Sequence, residues 1–312
     1  MRRSPLPPGL ITTAFSTLGA RLAGVSAKRL RALDLDSPAR GMRVVGGVEL
    51  DPSSPGSGWL ELNDYSFYSH ISAARIWGIP LPFRYLDDKR IHVARPREVQ
   101  PLRRDPVVGH RLDLCPRDIV RLRGVKLTSP ERTWLDLARS LSRDELVAAG
   151  DYLVSEYVRS TSVVREPVVS LPDLRAVLNR YKGVPGIVKA RVAIDDVRVG
   201  VDSAQETRAR LLIVRCGFPE PEVNVPIRDP ETGRTRWLDM GYPQLKLGLE
   251  YEGDQHRERD QWDSDITRDE IASRLGWRIL RVTARHLSGT HPELIDRLDR
   301  ILTLPPLPPS TV

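Results

Sequence analysis

Apolar and polar residues alternate most sharply between Leu245 and Glu252. Leu245, Leu247, Leu249 and Tyr251 fall on one face of an expected strand, and Lys246, Gly248, Glu250 and Glu252 on the other. Glu250 and Glu252 therefore share a face, roughly 6.6 Å apart along the chain at about 3.3 Å per residue. Arg236 to Met240 reads as a preceding strand, and Gly241-Tyr242-Pro243-Gln244 supplies the residues of a tight reversal. Folding that hairpin brings Asp239 beside Gly248 and Glu250, with His256 just past a turn at Gly253. Like-charge repulsion opposes three acids so arranged unless a cation or a proton offsets it.

Helical periodicity frames this hairpin. Asp202 to Arg215 reads as a helix: Ser203 and Glu206 have capping-box spacing, Leu211, Leu212 and Val214 are apolar, and Gly217 ends the run. A strand over Glu222 to Ile227 follows. Beyond the acids, a helix from Asp263 or Ser264 to Leu275 stops at Gly276, and Trp277 to Thr283 reads as a strand. Thr290 and Glu293 form a second capping box ahead of the stripe Leu294, Ile295, Leu298, Ile301 and Leu302. The expected order is αβββαβα, with the acids on the second and third strands.

The first half is less regular. Thr12 to Ala23 and Ser26 to Leu33 predict two helices around a Gly24-Val25 turn, which is helix-turn-helix spacing with a basic second helix carrying Lys28, Arg29 and Arg31. A plain helical hairpin has the same pattern. Ser69 to Gly78 predicts a helix, Ile91 to Val125 short β runs, and Ser129 caps a helix through Trp134 and Leu137. The organisation expected is mixed α/β (α+β): a helix-turn-helix-like segment at 1–45, a small α/β domain at 46–170, a third domain at 171–304, and a proline-rich, disordered tail at 305–312.

Charge sharpens that division. Residues 1–150 hold 24 Lys+Arg against 16 Asp+Glu, whereas the rest of the chain holds 24 against 25. A basic first half suits a polyanion, and a carboxylate-lined second half suits a cation; solvated surface arginines are the ordinary alternative. No apolar run reaches the ~18 residues of a membrane span. Thr12, Thr13, Ser16, Thr17 and Arg21 interrupt the stretch Leu10 to Ala20, so a secretory leader is not expected. Two isolated cysteines, Cys115 and Cys216, imply neither a disulfide framework nor a cysteine zinc site and fit the cytoplasm.

Glu206, Leu238-Asp239, Glu250-Tyr251-Glu252-Gly253 with His256, Asp265 and Arg268, and Gly276-Trp277-Arg278-Ile279-Leu280-Arg281 together resemble the PD-(D/E)XK nuclease superfamily. The resemblance is closer to a bacterial domain family of unassigned function related to very short patch repair endonucleases. It implies a restriction-endonuclease-like αβββαβ core and a metal-dependent endonuclease acting on DNA. Asp239 and Glu250, with the Tyr251 carbonyl, would hold Mg2+ or Mn2+, and Glu252, His256 and Glu206 would assist catalysis. Glu252 stands where the superfamily usually has lysine and the related family aspartate. A water-activating helper must then come from elsewhere, Arg268 serving as a phosphate clamp, or the domain is inactive. Leu10 to Val158, through Thr128-Ser129-Pro130-Glu131-Arg132-Thr133-Trp134-Leu135-Asp136-Leu137, loosely resembles AbiEi-type antitoxin regulators. That implies a winged-helix-like DNA-binding start, a toxin or defence-system partner, and a second expectation for the whole chain, a non-catalytic regulator.

Overall fold

The computed structural model describes residues 4–48, 58, 60, 65–158, 164–233, 235–253 and 271–302. The chain is mixed α/β and forms two compact units, each built from two stretches: Met1–Ser142 with Asp173–Arg191, and Arg143–Pro172 with Val192–Val312. A single boundary near residue 170, the expectation from composition, differs from this interleaving. The helix Arg143–Val154 belongs to the second unit because its buried Asp151 accepts from Thr207 Oγ1 (2.8 Å), Arg210 Nη2 (3.0 Å) and the Arg198 amide (2.7 Å). Among the described residues no helix is long and apolar enough to cross a membrane.

In the first unit, β1 (Phe15–Ser16), β2 (Leu35–Asp36) and β3 (Met42–Val45) form an antiparallel sheet in the order β1-β3-β2. Between them lies α1 (Thr17–Leu22), capped by Ser16 through the Gly19 amide at 2.8 Å. The helix expected over Ser26 to Leu33 is instead one 3-10 turn, Arg29–Arg31. Only Leu30 of that turn is buried, which is too narrow an apolar stripe to sustain an α-helix, and the Arg29 guanidinium turns away to grip Asp34. Helix-turn-helix geometry with a full recognition helix is therefore not formed.

The larger sheet of this unit is β4 (Phe67–Tyr68), β5 (Ile91–Pro96), β6 (Arg103–Arg104), β7 (Val107–Leu112), β8 (Ile119–Leu122) and β9 (Val125–Thr128), in the order β6-β7-β5-β4-β9-β8. Parallel pairs β5/β7 and β4/β9 alternate with antiparallel ones. Two helices, α2 (His70–Trp77) and α3 (Pro130–Leu137), pack together over it. Ser129 caps α3 as expected, and Trp134 is wholly buried. Trp77 Nε1 donates to the Thr128 carbonyl at 2.9 Å.

The second unit holds Arg143–Val154 (α4), the short pair β10 (Tyr157–Val158) and β11 (Val164–Arg165), α7 (Ala204–Arg215), β12 (Glu222–Arg228), β13 (Thr235–Tyr242), β14 (Leu247–Tyr251), β15 (Arg278–Val282) and α8 (Glu293–Leu302); α5 (Leu171–Arg180) and α6 (Ile187–Ala193) precede α7 in the chain. Sheet order is β12-β13-β14-β15: the first three strands form an antiparallel meander, and β15 returns parallel to β14. Residues 271–274 are helical, so among the described residues the elements run in the expected order αβββαβα. Two apolar clusters sandwich the sheet. Met240, Leu247 and Leu249 pack with Ala209 and Ile213 of α7 and Leu294 and Leu298 of α8, while Val225, Ile227 and Leu238 pack with Ile271 and Ala272.

Candidate functional site

The hairpin β13–β14 carries the candidate acids. Strict alternation puts Leu238 and Met240 on one face, yet they belong to the two opposite clusters. The strand turns over between them, beside Asn224, whose φ of +52° interrupts β12 between the pairs Val223↔Met240 and Val225↔Leu238. Asp239 sits at that twist. The β13–β14 pairing ends at Met240↔Leu249, one residue short of Asp239, whose Oδ2 accepts from the Tyr251 amide at 2.8 Å, beside the residue that follows Glu250. A Cβ on Gly248 would lie 2.4 Å from Leu238 Cδ1, so glycine lets Leu238 pack on the Glu250 side of β14.

Charge around these acids is balanced by arginines. Arg236 Nη2 donates to Glu250 Oε1 at 2.7 Å, with the arginine side chain 4% and the glutamate 23% exposed. Arg281 Nε lies 3.3 Å from Glu252 Oε1 across the parallel β14/β15 pair. Among the described residues no group of three or more His, Cys, Asp or Glu side chains is placed to hold a metal ion. The repulsion that called for a cation is thus met in large part by guanidinium groups. Arg236 was not singled out in the sequence, although its signal was there: it shares strand parity with buried Leu238, and a charged residue at an inward position needs a partner.

Glu206 forms the expected capping box. Its carboxylate accepts from the Asp202 amide (3.1 Å) and from Ser203 Oγ (2.9 Å), and its amide donates to Ser203 Oγ. His256, Asp265 and Arg268 lie outside the described residues, as does the tail 305–312. Of the basic trio in the first unit, Lys28 and Arg31 are exposed, whereas Arg29 is held bidentate by Asp34 (3.0 and 2.9 Å) and by the Ser4 carbonyl (2.8 Å). Arg29 is therefore a structural cation that ties the 3-10 turn to the segment before it.

No family model matches the chain, and no solved structure does. It is similar to the uncharacterized proteins MT2308 and Rv2248 of Mycobacterium tuberculosis, from strains CDC 1551 / Oshkosh and ATCC 25618 / H37Rv. Each is 27% identical over 184 residues, covering 58% of this chain and 64% of the relative. The match spans less than two thirds of those relatives' length.

Proposed function

We propose that the second unit is a restriction-endonuclease-like phosphodiester hydrolase that cuts or nicks DNA with Mg2+ or Mn2+, and that exposed basic residues of the first unit, Lys28 and Arg31 among them, help bind DNA. The observation that carries this reading is the Asp239 carboxylate held by the amide of Tyr251, next in the chain to Glu250, on an antiparallel meander whose last strand returns parallel. Two carboxylates on neighbouring strands are hard oxygen donors of the kind a small divalent cation takes, and Glu250 Oε2 has no hydrogen-bond partner among the described residues. The donor set fits such an ion in kind. Asp239 and Glu250 would hold it, and it would neutralise charge developing on the phosphoryl oxygens. The Tyr251 amide fixes the Asp239 carboxylate, and Arg236 fixes that of Glu250. Arg236 also supplies, beside the acids, the positive charge that the lysine absent at Glu252 would bring. A cytoplasmic location accompanies the DNA substrate.

A specific observation favours a second reading. The pairs Arg236–Glu250 and Arg281–Glu252 balance the acids without a cation, as a non-catalytic DNA-binding regulator with an antitoxin-like role would allow. Cleavage of supercoiled plasmid by the full chain with Mg2+ or Mn2+, run beside Asp239→Ala and Glu250→Ala at low salt, tests the choice. Metal-dependent nicking abolished by both substitutions supports the hydrolase. Absence of cleavage, with salt-sensitive binding that survives both substitutions, overturns it in favour of the regulator.

A further inference from the structure

The first unit contains a cavity of about 680 Å³ that the acid hairpin does not involve. Small-molecule sites usually occupy about 300–1,000 Å³. His70, at the first position of α2, and His110, on β7, line it with their rings stacked at 3.7 Å between centroids and 13° between planes. His92 closes the group from behind, its Nδ1 lying 3.1 Å from His110 Nε2. His70 Nδ1 faces Ser69 Oγ at 3.0 Å. His70 also holds φ at +48°, a left-handed conformation that costs a non-glycine residue of order 1 kcal/mol or more and collects at functional positions.

The charges of the floor and of the walls differ. In the floor, Arg132 donates to Asp136 Oδ1 (2.9 Å) and lies over the Tyr181 ring (4.4 Å), while Arg180 lies 3.5 Å from Asp118. Arg180 also lies 3.7 Å from Glu131, so two guanidinium groups meet three carboxylates. In the walls, Arg97 pairs with Asp113 at 2.7 Å, but Arg111, Arg139 and Lys182 form no ion pair among the described residues. Three wall cations therefore stand against one excess carboxylate in the floor, and the cavity keeps a net positive charge. The histidines register that excess: burial first, and then positive neighbours including Arg139, depress His70 well below its ordinary value and hold His110 at about 4. Neutral imidazoles beside surplus cations leave a place for an anion with more than one negative charge, and the volume exceeds what a bare oxyanion fills.

We propose that this cavity binds a phosphate monoester, with Arg111, Arg139 and Lys182 neutralising the phosphoryl oxygens and His70 and His110 donating hydrogen bonds to them. The phosphate can belong to a free nucleotide or to the 5′ end of a nucleic-acid strand; the chemistry is the same, and the test separates them. Entry of the anion makes the charged imidazole favourable, so binding takes up protons.

Isothermal titration of the full chain at low salt with inorganic phosphate, AMP, and one short oligonucleotide carrying either a 5′-phosphate or a 5′-hydroxyl tests this. Histidine ring protons are followed by NMR in the same samples. Binding of AMP and phosphate that Arg139→Glu and Arg111→Glu each weaken about tenfold or more, with the histidine pKa values rising on binding, supports the proposal for a small ligand. Binding confined to the 5′-phosphorylated oligonucleotide, with the same losses, supports it for a strand end. Arg139 and Arg111 are exposed, so these variants fold, and Arg117→Glu, exposed and outside the cavity, leaves the affinity unchanged. Equal binding of the two oligonucleotides overturns the proposal, because the surface then reads backbone diesters. So does the absence of any binding, or binding that leaves the histidines unmoved.

Discussion

Acidifying the protein from about pH 7 to about pH 5 should loosen the first unit more than the second. In the first unit, burial, followed by the charge of His110 and by Asp88 acting the other way, leaves His92 at about 4; burial and Arg139 leave His110 at about 4. A base with a depressed folded-state pKa binds fewer protons folded than unfolded between about 4 and 6.5. Stability is therefore lost as pH falls through that window, at about 2 kcal/mol for each of these two histidines by pH 5. His70 shifts in the same direction and adds to the loss. Asp136 opposes them: burial raises it to about 6, so it protonates more readily folded than unfolded and returns about 1 kcal/mol. The net loss is on the order of 3 kcal/mol or more. In the second unit Asp151, raised to about 6 by burial against the pull of Arg210, stabilises on acidification, while His286, lowered by burial and then by Arg297, acts the other way. Hydrogen exchange compared at the two pH values, corrected for intrinsic rates and run without phosphate, reads each unit separately. Peptides from β5 and β7 should lose protection relative to peptides from α4 and α7, and His92→Asn with His110→Gln should remove most of the difference. Unchanged or greater protection of β5 and β7 at pH 5 would refute the reasoning.

Other perturbations test single contacts. Gly109→Ala should destabilise the first unit by about 3 kcal/mol or more, because a Cβ there would lie 2.0 Å from the Leu102 carbonyl oxygen and backbone cannot rotate aside; urea unfolding measures it, and a loss below 1 kcal/mol contradicts it. Glu206→Ala should cost about 1 kcal/mol of stability through the lost capping box, whereas a cost confined to cleavage activity would mark Glu206 as a site residue instead. Arg210→Met should cost about 3–5 kcal/mol, since it strands buried Asp151 and also removes donors to Glu220 and to the Asp196 carbonyl; loss of unfolding cooperativity in the second unit is the readout.

The elements legible in the sequence were those with strong local codes. The Ser129 cap, the Ser203–Glu206 box and Gly217 at φ +88° after α7 rest on a few neighbouring residues and formed as expected, whereas the strand expected from Leu245 begins only at Leu247, because Leu245 ends a 3-10 turn and is exposed. The hairpin that brings Asp239 to the Glu250–Tyr251 end of β14 was legible for the same reason. Long-range partners were not. Nothing within a few residues of Glu250 announces Arg236, which is 14 positions away, or joins Asp151 to Arg210 across 59. His70, His92 and His110 are each isolated in the sequence; the parallel pairing of β5 with β7 brings His92 near His110, and the Ser69 amide bonded to the His92 carbonyl at 3.1 Å brings in His70. The second helix of the first unit failed for the opposite reason. Its local pattern was helical, but the Arg29–Asp34 bond and a single buried leucine made one turn enough.

Arg236 decides how the acid hairpin is to be understood. A guanidinium 4% exposed beside Glu250 neutralises the carboxylate that a divalent cation would share, so the two positive charges compete for one site. Arg236→Met removes that competitor and leaves Glu250 next to Asp239 without its counter-charge, at a cost of about 2–4 kcal/mol for a partly exposed pair. If the acids form a metal site, Mg2+ or Mn2+ should restore much of the lost thermal stability, and should do so at lower concentration than any stabilisation of the unsubstituted chain, because ligand binding stabilises in proportion to ln(1 + [L]/Kd). Adding Glu250→Gln should abolish the rescue. Equal loss with and without metal would show that Arg236 is the permanent partner of Glu250, and the hairpin an ion pair that holds the sheet together rather than a metal site.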